Sequence, residues 1–220
     1  MRTYQVLGRL LAYPEEEMIA ALPAMRRLLA GEEVLPVPHR TAIGKLADEL
    51  ESGDLMDLQE RYVALFDRTR SLALHLFEHV HGDSRDRGMA MVDLIEVYRK
   101  HGFEIVTNEL PDYLPLFLEF LAQLDPKEAR ALLRDAAPVI APIQARLEKR
   151  GSPYAAVLAA LLYLAEAKPV APASLPEEDD SLEALDREWE EAAVTFGPTA
   201  PAQGDGCSRA AAMLRRMEIS

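Results

Sequence analysis

The chain has 220 residues, a mass of 24.5 kDa and 49% apolar residues, which excludes disorder throughout and suffices for one good-sized domain or two small ones. Its net charge of −13 argues against nucleic-acid and anionic-membrane partners, and its single cysteine, Cys207, leaves no disulfide framework or thiolate metal cluster. Much of the acidity is concentrated late: between Ala171 and Gly206 ten acids stand against one base, Arg187.

In chain order, MRTYQVLGRLLAYPEEE holds Arg9 within its apolar run and lacks a small-residue cleavage site. It reads as a helix near 3–12 rather than a secretory signal or anchor, which leads us to expect a cytoplasmic protein. Helical periodicity then predicts elements near 15–30, 39–52, 54–67, 71–81, 84–101, 109–124, 126–149 and 153–167, with no strand alternation and no internal repeat. Asp83, with Asp86 three residues later, starts the sixth, and Gly102 is placed to end it in the left-handed conformation. Asp125-Pro126-Lys127-Glu128 resembles a capping box, and Ser152-Pro153 repeats the cap and proline. Pro138 and Pro142 are expected to kink or split the eighth helix. The longest apolar run, AAVLAALLYLA at 155–165, falls short of the about 20 residues that span a bilayer. The expected fold is all-α, a single-domain helical bundle over 1–170, followed by an acidic, proline-rich and largely disordered tail over 171–220.

Two stretches carry candidate chemistry. LHLFEHVHGDSRDRG, residues 74–88, places His75, Glu78, His79 and His81 within seven positions. His75 and His79 have a spacing that chelates metal on a helix, but the segment offers no obvious further ligand, and the metalloprotease order HExxH is absent. Ser71 and Ser84 lack an elbow motif, and no glycine-rich phosphate loop is present. The bland reading is a capped helix end with partly buried histidines.

The second stretch is ELPDYLPLFLEFLAQL, 109–124, apolar over most of its circumference and so expected in the middle of a bundle. Helical spacing puts Asp112, Pro115 and Glu119 on one face. Two carboxylates there need a counter-charge. An internal arginine such as Arg68, Arg70 or Arg87 would supply it; so would a cation received from outside in a groove.

RYVALFDRTRSLALHLFEHVHGDSRDRG, the following helix and LPDYLPLFLE together resemble the NarJ-type molybdenum cofactor assembly chaperones of nitrate reductase. These are also called the nitrate reductase delta subunit and lie within the TorD/DmsD superfamily; the likeness runs from LGRLLAYP to WEEAAVTFG. The resemblance implies a helical chaperone, not an enzyme, with no catalytic residue, metal or cofactor of its own. Its implied partner is the N-terminal segment of the nitrate reductase alpha subunit in the apoenzyme, with molybdenum cofactor delivery proteins as further partners and no membrane insertion. A sister chaperone for another molybdoenzyme is the nearer alternative, and a His-based metal-binding protein the remote one. The family's motifs fall on Tyr62, Leu65 and Phe66; on Phe77, Glu78, His79 and Arg87; and on Pro111 and Asp112. Relatives commonly have histidine after that Pro-Asp, where this chain has Tyr113. With Pro115 and Glu119 these residues form the expected peptide-binding set, in which Leu65, Phe66 and Phe77 anchor an amphipathic basic helix and the acids select it.

Overall fold

The computed structural model describes residues 1–82 and 85–174, and the expected tail therefore lies, from residue 175 onward, outside the described residues. Among the described residues the architecture is all-α: α1 (Arg2–Leu11), α2 (Glu16–Glu32), α3 (Val37–Ser52), α4 (Leu55–Tyr62), α5 (Glu78–His81), α6 (Arg85–Lys100), α7 (Leu114–Gln123), α8 (Pro126–Lys149) and α9 (Ala155–Leu164). None of these helices is long and apolar enough to cross a membrane.

The two most apolar segments sit at the centre. α7 buries Leu114, Leu116, Phe117, Leu118, Phe120 and Leu121, and α9 buries Val157, Leu158, Ala160, Leu161 and Leu162. A helix without a polar stripe must be covered on most sides. Accordingly α1 lies along α7 and α8 along α9, while α2 and α3 close the remaining side. Gly8 permits the α1–α7 approach: a Cβ there would stand 3.0 Å from the carbonyl oxygen of Pro115 and 3.3 Å from Leu118 Cβ. Glu32, the last residue of α2, caps α1 by accepting from the N–H groups of Arg2 at 2.9 Å and Thr3 at 2.8 Å, and from Thr3 Oγ1 at 2.5 Å. α1 and α2 are thus joined as one unit.

Several boundaries depart from the periodicity. The segment 71–81 is not one helix: a 3-10 turn (Arg70–Leu72) leads into an extended pass, and only Glu78–His81 coils again. The helix expected over 109–124 begins at Leu114, because 111–113 pairs antiparallel with 74–76 through His75 and Tyr113. That pairing is carried by Leu76 N–H to Asp112 O (3.0 Å) and Leu114 N–H to Leu74 O (2.8 Å). α4 does not stop at Tyr62 but widens into a π-helical turn over Val63–Asp67, with Arg68 N–H donating to Val63 O at 3.0 Å. α8 runs unbroken through Pro138 and Pro142. Asp125 caps α8 by accepting from Lys127 N–H at 2.9 Å, but Glu128 turns to His101 instead of back to the cap. The second expected cap does not form, since Ser152 Oγ is buried without a partner and α9 begins three residues later. Gly102 does end the α6 helix, at φ 73°. The cap expected at Asp83 lies outside the described residues.

Candidate functional site: a closed motif core and an open cleft

The motif residues converge on the interior. Asp112 is 0% exposed; its Oδ2 accepts from Phe77 N–H at 3.0 Å and lies 3.7 Å from the Arg87 guanidinium. The same guanidinium stands 3.8 Å from Glu78 Oε2, and Arg70 Nε lies 3.6 Å from Glu78 Oε1. Asp112 Oδ1 and Arg87 Nε are buried with no hydrogen-bond partner, so the attraction across this pair is chiefly Coulombic rather than a bidentate fork. Tyr98 donates to Pro111 O at 2.8 Å, and burial together with the neighbouring Asp112 charge pushes its hydroxyl well above the usual tyrosine range. His79 Nε2 pairs with Ala73 O at 2.7 Å, and the His75 ring stacks on Tyr113 with centroids 5.4 Å apart. Since residue 75 is not helical, the His75/His79 chelating geometry does not arise. The histidines instead hold the 73–81 pass in place.

The expected anchors are interior as well. Phe66 is 4% exposed and packs at 4.9 Å from Tyr62 and 5.1 Å from Tyr154; Phe77 is 1% exposed. Leu65 is half-buried against the same core. The expectation that Asp112 and Glu119 share an open face is therefore corrected. Asp112 precedes α7 and points inward, because the bridge to 74–76 displaces the helix start, while Glu119 is on α7 and exposed.

Glu119 borders a cleft of about 730 Å³ between α1, α2 and the chain from Thr107 to Glu119. Its walls are apolar: Val6, Gly8 and Ala12 from α1 and the turn after it, Met18, Ala21, Met25 and Leu28 from α2, and Pro115 and Leu116 from α7. Its rim carries Glu15, Glu109 and Glu119 against a single base, Arg9, with Tyr13 and Tyr113 at one side. Of the expected peptide-binding set only Pro115 and Glu119 line it. Tyr62, Leu65, Phe66, Phe77, Glu78, His79, Arg87, Pro111 and Asp112 do not line it. The α2 wall was readable: Met18, Ala21, Met25 and Leu28 recur at +3, +4 and +3, a stripe that starts in the core at Met18 and runs beside the buried Leu22 and Leu29.

Tyr113 connects the two regions. Tyr62 Oη donates to the carbonyl of Leu11 at 2.9 Å, which leaves Tyr113 to donate to Tyr62 at 3.0 Å. Burial is the main cause raising the Tyr113 hydroxyl to about 12. Tyr113 therefore stays neutral across the physiological range.

The sequence profile described as nitrate reductase delta subunit matches residues 32–160. The chain is 44% identical over 196 residues to the nitrate reductase molybdenum cofactor assembly chaperone NarJ of Escherichia coli, covering 87% of this chain and 83% of that one. It is 38% identical over 203 residues to a second Escherichia coli protein, named as the probable assembly chaperone NarW, covering 89% and 84%. It is 33% identical over 160 residues to the probable NarJ of Bacillus subtilis, covering 73% and 86%. With a helical fold, a motif core built from FEHVH and Pro-Asp, and likeness over most of both chains, this chain belongs to the nitrate reductase delta subunit family.

Proposed function

We propose that the cleft between α1, α2 and α7 receives the N-terminal segment of the nitrate reductase alpha subunit in the cytoplasm, before the molybdenum cofactor is inserted. The chain is an assembly chaperone of the nitrate reductase system and not an enzyme. The observation that carries the peptide assignment is the pairing of apolar walls with an acidic rim, Glu15, Glu109 and Glu119 against Arg9. That combination suits an amphipathic basic helix laid into a groove. Half the cross-section of a helix 10–12 Å wide would fill the 730 Å³ over roughly 15 Å, or roughly ten residues.

Energetics divide the work. Ordering a free peptide costs about 1–2 kcal/mol per residue in backbone entropy, which apolar burial at about 25 cal/mol per Å² must offset. Exposed rim charges add only about 0–1 kcal/mol each, so they select for basic segments and speed encounter. In this reading Met18, Met25, Leu28 and Leu116 hold the peptide, and Glu119 and Pro115 keep the contact role expected from sequence. Of the other nine motif residues, Tyr62 reaches the cleft through its hydrogen bond to Tyr113.

Titration of the full chain with a labelled N-terminal peptide of the alpha subunit, followed by fluorescence anisotropy at two salt concentrations, tests this. Binding should weaken as salt rises, and Met25→Asp should abolish it in a protein that still melts cooperatively, since Met25 is only partly buried against the core. Undiminished binding by Met25→Asp would move the client site off this cleft.

A further inference from the structure

The cleft has a candidate occupant within its own chain. Residues 207–220 read CSRAAAMLRRMEIS. At helical spacing Ala210, Met213, Leu214 and Met217 fall at i, i+3, i+4 and i+7, one continuous apolar stripe. Arg209 and Arg216, seven apart, share one flank of that stripe, and Arg215 lies on the other. Three bases against one acid, Glu218, oppose a rim of three acids against one base. The stripe with its flanking arginines is about ten residues, the length the cleft accommodates.

No other stretch of 175–220 has this character. The acids of 177–191 would be repelled by Glu15, Glu109 and Glu119, and 192–206 is interrupted by Gly197, Pro198 and Pro201. The described chain ends at Ser174, on the 3-10 turn against α8. The 34 residues of 175–208 could reach above roughly 100 Å if fully extended, enough length to bring residue 209 to any face of the bundle.

We propose that residues 209–218 occupy the α1–α2–α7 cleft of their own chain as an internal stand-in for the client, and that an incoming client displaces them. This rests on the assignment of the cleft as the client site. The acidic stretch 177–191 then serves as a spacer that the rim rejects and that cannot itself block the cleft. Tethering at an effective concentration of about 1 mM, against an intrinsic Kd near 0.1 mM, would weaken an external client about tenfold. A client must then be a better fit than the stand-in, which filters out weakly basic or weakly apolar segments.

The test uses full-length protein with methyl-labelled methionines, comparing wild type with Leu214→Asp by NMR. The methyl resonances of Met18 and Met25, in the cleft, should move between the two proteins, while those of the exposed Met56 and Met89 outside it stay fixed. A synthetic peptide of residues 207–220 added to the variant should return Met18 and Met25 to their wild-type positions. The alpha-subunit peptide should bind Leu214→Asp about tenfold more tightly than wild type. Unmoved Met18 and Met25 resonances with equal peptide affinity would overturn the stand-in and leave the client site standing. Moved resonances with no alpha-subunit peptide binding to either protein would instead overturn the client assignment and retain the docked segment. Shifts that disappear on dilution would put the segment in a second copy's cleft and overturn the intramolecular form.

Discussion

The molecule holds two regions that meet at Tyr113 and differ in almost everything else. One is the core around Asp112, Phe77, Glu78 and Arg87, closed and cross-braced, where the recognisable motifs reside. The other is the cleft of α1, α2 and α7, open, with an α2 wall of methionine, leucine and alanine that carries no motif, and touched by LPDYLPLFLE only at Tyr113, Pro115, Leu116 and Glu119. The contrast separates what holds a surface from what the surface touches. A fully buried carboxylate tolerates few replacements, because any change leaves a charge or donor uncompensated. Methionine walls tolerate many, because the side chain is unbranched and repacks readily. Distinctive sequence therefore marks the brace, and the α2 side of the cleft is written in ordinary residues.

The comparison predicts opposite phenotypes on the two sides. The largest effect should come from Phe66→Ala, which removes a buried ring from the Tyr62–Tyr154 cluster. It should cost about 3–5 kcal/mol in a denaturant melt; a loss of peptide affinity with unchanged stability would instead put Phe66 in the cleft. Asp112→Asn should follow at about 3 kcal/mol, because it deprives the Arg87 guanidinium of one of its two carboxylates in a poorly solvated site. A destabilised fold whose peptide binding keeps its wild-type salt slope is the expected pair of curves; a stable Asp112→Asn with a reduced slope would break the division between brace and surface.

On the open side, Glu119→Lys should leave the melting temperature within about a degree and weaken the basic peptide about tenfold at low salt. The difference should shrink as salt rises, since exposed charges are screened over about 8 Å at physiological ionic strength. Glu32→Gln should have the smallest effect, about 1 kcal/mol or less, because the cap it provides to α1 is partly solvated. Its pH dependence has a definite sign. Burial opposes ionisation of Glu32, but the hydrogen bonds from Thr3 Oγ1 and the Arg2 and Thr3 N–H groups outweigh it and lower its pKa below 4.5. The folded-state pKa lies below the unfolded one, so the contribution is complete above about pH 4.5 and is lost as pH falls through the folded value. The gap between wild type and Glu32→Gln in thermal melts should therefore close on acidification; a gap that widened would contradict the cap.

The peptide-binding set divides along the same line. Pro115 and Glu119 could be placed from spacing because both lie within α7, where helical periodicity holds. Asp112 could not. Its assignment to the same face assumed a helix starting at residue 109, and the antiparallel pairing with 74–76 consumes the backbone of 111–113. A bridge between His75 and Tyr113, 38 residues apart, leaves no local signal. Phe66 and Phe77 have the same ambiguity from sequence, since an aromatic residue in a helical pattern serves equally as core or as groove anchor.

Sequence by itself determined the all-α class and most helix ends, because those depend on local quantities: 3.6-residue periodicity, Asp125 at an N-cap, Gly102 at φ 73°; the family was legible from the FEHVHGDSRDRG and LPDYLPLFLE motifs. Only the tertiary structure decided which faces remained open. Whether Arg87 neutralises Asp112, whether α7 begins before or after the Pro-Asp pair, and whether α2 shows its Met18–Met25 stripe to solvent or to a neighbour all depend on how distant segments pack. Packing energy is a sum over non-local contacts, and no window along the chain contains it.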